Sequence, residues 1–139
     1  MSDKINPFEK KKKGVFFFKS SNPYEFYDLL NGKNMDDKQD VWGTLIFPEN
    51  VKKPCPLIIP IHGSAGLREG HHTHMVNLLD AGFAIFRIHH FESRGVISIV
   101  ENQTEVTLAS MITDAFRALT LVSKHPDVDS DKIGIMGWS

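Results

Sequence analysis

Five short apolar runs and two longer amphipathic stretches set the rhythm of this chain. Residues 14–19 are rich in β-branched and aromatic side chains and read as a strand, although Phe16-Phe17-Phe18 breaks strict alternation. Residues 41–47, closed by Pro48, read as a second. The polar stretch 20–40 between them carries the turn formers Asn22-Pro23 and Asn31-Gly32. Residues 57–61 form a continuous apolar run between Pro56 and Gly63, the pattern of a strand buried on both faces. Helical spacing follows over residues 73–81, at Met75, Leu78 and Leu79, with Gly82 as its stop. Residues 83–88 are another buried strand. From 106 to 124 the spacing is helical again, with Leu108, Ile112, Ala115, Leu119 and Val122 on one stripe and Pro126 beyond the end. The loop 127–131 feeds a last apolar run, Ile133 to Met136.

The second half therefore reads strand, helix, strand, helix, strand. That alternation predicts an α/β fold with a mostly parallel sheet, flanked by helices and joined by right-handed crossovers. In such open sheets, sites form outside the carboxyl ends of the strands. Two glycine-bearing motifs fall there: His62-Gly63-Ser64-Ala65-Gly66 after the strand at 57–61, and Gly137-Trp138-Ser139 after the last strand.

Gly137-x-Ser139 matches the first three residues of a G-x-S-x-G nucleophile elbow, in which a strand turns sharply and presents a serine hydroxyl at the sheet end. A serine needs a base to take its proton, a third group to orient that base, and N–H donors where the oxyanion develops. The 62–66 loop can supply one such donor, the backbone N–H of Ser64. The histidines His62, His71, His72, His74, His89, His90 and His125 all precede Ser139. In this kind of site the base follows the nucleophile in chain order, so none of them suits the role. The same order argues against Asp114, read as a solvated or loop-bonding residue, and against Asp127, Asp129 and Asp131, which read as turn and cap chemistry.

Composition narrows the partners. Sixteen basic and 17 acidic residues leave no basic excess for nucleic acid. No run approaches the roughly 20 apolar residues that span a bilayer. The basic N-terminus lacks an apolar core of signal-peptide length, so a cytoplasmic protein is expected. Six of the first 19 residues are lysines, four of them consecutive at Lys10 to Lys13, and residues 1–13 read as a disordered basic tail ahead of a domain over 14–139. One cysteine, Cys55, excludes an internal disulfide. His71 and His74 can share a helix face, but without H-E-x-x-H or a second cysteine no metal site is expected.

The ordered set Pro60-Ile61-His62-Gly63-Ser64-Ala65-Gly66-Leu67, Ala81-Gly82-Phe83-Ala84-Ile85, Ser93-Arg94-Gly95-Val96 and Asp129 to Ser139 resembles the dienelactone hydrolase family of α/β-hydrolases over residues 41–139. The resemblance implies a nucleophile at Ser139, with Gly137 and Trp138 forming its elbow. It also implies an oxyanion loop at His62, Gly63, Ser64 and Ala65, an acid and a histidine further along a longer chain, and no cofactor. Substrates would be small-molecule esters, lactones or related carbonyl compounds. On that reading the 139 residues are the N-terminal part of the fold, truncated after the nucleophile strand and inactive alone. Arg94 would steady its loop or contact an anionic substrate. Where relatives often place an acidic residue before the Arg-Gly motif, this chain has His89-His90-Phe91-Glu92. The competing reading is a small, non-enzymatic α/β binding module.

Overall fold

A computed structural model describes residues 6–139. Five strands form one mixed sheet: β1 (Gly14–Ser20), β2 (Gln39–Ile46), β3 (Cys55–Ile61), β4 (Ala84–Ile88) and β5 (Val128–Gly137), in the order β1-β2-β4-β3-β5. The parallel part is β4-β3-β5, as the alternating pattern implied, while β1 and β2 are added antiparallel on the β4 side. Three α-helices accompany them: α1 (Phe26–Asn31), α2 (Glu69–Asp80) and α3 (Leu108–Val122).

The connection through α2 steps from β3 to β4, and the one through α3 steps back across β3 to β5. Right-handed crossovers of opposite direction place α2 and α3 on opposite faces of the sheet. The direction of winding thus switches between β3 and β5, where a crevice opens at the strand ends. The loop after β3 and the turn after β5 meet at that crevice.

Val41, Leu45, Leu57, Ile59, Phe86 and Ile88 pack on Ala115, Ala118 and Val122 of α3 to form the main core. The alanines let the helix approach the sheet, while the β-branched and leucine side chains fill the space between. A glycine in β2 is part of this packing. A Cβ on Gly43 would overlap Cζ of the Phe86 ring, which is fully buried. Gly43→Ala is therefore expected to lower stability by about 1–3 kcal/mol, through overpacking. Urea denaturation of the variant beside the parent checks this, and an unchanged midpoint would mean that the ring has room to move.

Three differences from the sequence reading stand out. α1 lies within the stretch 20–40 that reads as turns. α2 begins four residues earlier than its apolar spacing does, and β5 reaches back to Val128 through the acidic loop. The expected tail over 1–13 lies outside the described residues only for 1–5. Within 6–13, Asn6 caps a short 3-10 turn, Phe8 is buried against Phe16 and His125, and the Lys12 carbonyl meets His125 Nε2 at 2.8 Å. Phe8 thereby joins the main core cluster. Among the described residues no helix is long and apolar enough to cross a membrane.

Candidate active site

Two backbones touch at the crevice. Gly137 is paired with Ile61, the last residue of β3, and Trp138 N–H donates to the Ile61 carbonyl at 3.0 Å. This carries the chain one residue past the sheet and leaves Ser139 exposed beside the loop that leaves β3. A Cβ on Gly63 would lie 3.0 Å from the Ser139 carbonyl carbon and 3.1 Å from the Trp138 carbonyl oxygen. Only a glycine lets the loop and the serine segment come this close. His62, Gly63, Ser64, Ala65, Gly137, Trp138 and Ser139 all line one groove at this point.

The loop itself is pinned from behind. The Gly63 carbonyl accepts from His62 Nδ1 at 2.9 Å and from Gly66 N–H at 3.0 Å. The Ser64 carbonyl accepts from Ile99 N–H at 2.8 Å and from Ser98 Oγ at 3.2 Å. A trans peptide points its N–H opposite to its carbonyl, so the N–H groups of Ser64 and Ala65 are aimed away from these partners. Among the described residues neither N–H donates to any protein acceptor. Two adjacent free N–H groups form a concavity suited to negative charge. Gly66, at φ +79°, closes the turn, and a side chain there would also meet the Ile97 carbonyl.

On the other side of the serine, the Trp138 ring stacks on His71 of α2, with centroids 4.4 Å apart and planes 13° from parallel. His74 approaches the same ring at 6.1 Å. The two histidines do share a helix face, but that face is turned to an indole. Among the described residues no three histidine, cysteine or acidic side chains converge as a metal site would require. His71 Nδ1 accepts the Arg68 N–H at 3.1 Å, closing the N-terminus of α2. Burial, then the neighbouring His74 and Arg68 charges, hold His71 below the usual imidazole value. Protonation would also break the cap, because Nδ1 could then no longer accept.

A cationic imidazole quenches a stacked indole by drawing electron density from its excited state. In a Trp42→Phe background, Trp138 emission should thus fall as pH drops through a midpoint below about 6.5, and His71→Asn should abolish the transition. The background is needed because Trp42 stacks on His89 at 5.9 Å.

Arg94 lies away from the groove. Its guanidinium donates to both Asp114 oxygens at 2.8 and 2.9 Å, to the His90 carbonyl, to Asn22 Oδ1 and to the Ser21 carbonyl. These bonds occupy it as a loop tie, and they fix the turn after β4. Asp114, expected to be solvated or loop-bonding, is fully buried and bonds that loop. It also accepts from Ser20 Oγ and from His90 Nδ1. Burial works to raise its pKa; the Arg94 and His90 hydrogen bonds outweigh it and leave the carboxyl below the usual value. His90 thus stands at the strand end, and Glu92 instead faces Arg87 at 3.6 Å and His89 at 3.8 Å.

The groove encloses about 870 Å3 and runs from the serine along the face between α3 and β5. Met111, Ile112, Ala115, Phe116 and Leu119 line one wall; Ile133 and Ile135 line the other. Phe116 and Ile135 are 60% and 61% exposed. The free edge of β5 continues this wall.

No family model matches the sequence, and no curated protein matches it. Solved structures do match. A dienelactone hydrolase-like protein from Klebsiella pneumoniae subsp. pneumoniae superposes with a TM-score of 0.59 at 15% identity, over 89% of this chain and 50% of that one. Est1E from Butyrivibrio proteoclasticus, solved with ferulic acid bound, gives 0.56 at 26% identity over 72% of this chain and 39% of its own. A bacterial heroin esterase gives 0.56 at 21% identity, over 89% and 35%. The chain spans half or less of the length of each. Its sheet order, its crossovers and these neighbours together give it the α/β-hydrolase fold, shared with dienelactone hydrolase-like proteins and esterases.

Proposed function

We propose that this chain carries the nucleophile and one oxyanion donor of a serine hydrolase acting on small-molecule esters or lactones. The observation that carries the reading is the contact between Gly63 and the Trp138-Ser139 backbone, which sets two unpaired N–H groups beside an exposed serine. Ser139 Oγ would attack the ester carbonyl while a base takes its proton. The carbonyl electrons would move onto oxygen, facing the Ser64 N–H group. Collapse of that intermediate would expel the alcohol, reprotonated by the same base, and leave an acyl-serine that water hydrolyses. Base, orienting acid and a second donor would come from chain beyond these residues. The same added structure would cover the β5 edge and the apolar groove.

The ferulic acid bound to Est1E makes aromatic acid esters a reasonable first panel. The buried, unpaired Cys55 fits a reducing, cytoplasmic setting, which is part of the proposal.

A serine-directed fluorophosphonate tests it. Treating the protein expressed from its native gene should add one phosphonyl mass, and peptide mapping should place it on Ser139. Labelling at another serine, or none, would overturn the assignment.

A further inference from the structure

We infer that His62 is a positioning residue: its Nδ1–H holds the Gly63–Ser64 peptide so that the Ser64 N–H stays aimed at the oxyanion position. This rests on the hydrolase reading above and deepens it. Gly63 cannot carry a side chain, because Ser139 occupies that space. A glycine before the donor is also the position where the peptide plane swings most freely. Something must hold it, and the Gly63 carbonyl has two partners, one being the side chain of His62.

A carbonyl oxygen only accepts, so the proton of the 2.9 Å contact sits on His62 Nδ1. The surroundings favour that form. The ring is 5% exposed, lying against Phe91 at 4.4 Å and edge-on to His90 at 5.4 Å. Among the described residues His62 Nε2 is buried and meets no partner, so a proton placed there would find no acceptor, while Nδ1 would lose its bond. His90 is itself locked, since its Nδ1 binds Asp114 and its Nε2 is likewise buried and unpartnered. The Asp114–His90 pair thus forms a rigid wall that keeps the His62 ring in the plane its bond requires.

The test compares His62→Leu, which has similar branching and no donor, with His62→Asn, whose Nδ2 stands close to where Nδ1 was. In the native gene product, His62→Leu should lower kcat by about 100-fold with KM little changed, as for loss of one oxyanion donor. His62→Asn should recover most of that loss. Equal thermal midpoints for the two variants would separate positioning from folding. Long-range 1H–15N spectra should show wild-type His62 protonated at Nδ1 and bare at Nε2. An Nε2–H tautomer, an unchanged kcat in His62→Leu, or an equal fall in both variants would overturn the inference. Wild-type turnover that survives Ser139→Ala would instead bring down the hydrolase reading itself, whatever the tautomer.

Discussion

Ser139→Ala in the native gene product is expected to lower ester turnover by about 1,000-fold or more, with KM nearly unchanged. In the mechanism proposed above the hydroxyl is the atom that forms the acyl bond, so its removal would eliminate the covalent route rather than weaken it. What survives is the catalysis given by binding and the oxyanion donors, which in serine hydrolases is about 1,000- to 10,000-fold over water. KM should hold because the apolar groove and the 62–66 loop are untouched by losing one oxygen from an exposed side chain. The purified 139-residue chain should show no turnover above its own Ser139→Ala control. Among the described residues no imidazole is hydrogen-bonded to Ser139: the two rings that line the groove, His62 and His71, bond the Gly63 carbonyl and the Arg68 N–H instead. Turnover by that chain, sensitive to Ser139→Ala, would show that the base lies within these residues. A full-length variant with retained activity would move the nucleophile elsewhere.

The parts of this site that could be read in advance are those set by backbone chemistry. Glycines at 63 and 137, one residue after and directly after an apolar run, mark places where the chain leaves a strand, and both lie at the crevice. Buried parallel strands declare themselves because both faces are covered, so 57–61 is apolar throughout and 84–88 is apolar at every position but Arg87. The antiparallel addition of β1 and β2 has no such signature, since strand order depends on contacts far apart in sequence. α1 escaped because it is six residues long, exposes Phe26, Tyr27 and Leu30, and sits among turn formers. The early start of α2 escaped because its first turn, Glu69 to His72, has no apolar position. Its signal was the reciprocal bonding of Arg68 and His71, which is not a usual capping pair.

Side-chain partnerships across the fold were the least readable. Arg94, Asp114 and His90 come from a turn, a helix and a strand end, separated by 20 and 24 residues. Asp114 is helical and polar, so its own neighbourhood suggests exposure. Only the packing of α3 onto β1 and β4 buries it. Trp138 on His71 is the same case, an aromatic contact between α2 and the end of β5 that no local pattern announces.

That buried network yields the second large effect. Asp114→Ala is expected to lower stability by about 3–5 kcal/mol, because it leaves the Arg94 guanidinium buried without its counter-charge. The Arg94 side chain is only 6% exposed, so water cannot readily replace the carboxylate, and His90 and Ser20 lose partners in the same step. Asp114→Asn keeps the shape and some of the hydrogen bonds, so it should fall between the two. The pH dependence follows from the direction of the shift. Asp114 titrates lower in the folded chain than in the unfolded one, where a carboxyl has a pKa near 3.9. Its stabilisation is therefore complete above that value and is lost as pH falls through the lower folded value. Urea denaturation should give a constant difference between wild type and Asp114→Ala from about pH 5 to 7, shrinking below about pH 4. A difference under about 1 kcal/mol at neutral pH would mean that Arg94 escapes to solvent when its partner is gone. The turn after β4 would then lose its anchor, and the Phe91 and Ile99 packing behind the 62–66 loop should loosen with it.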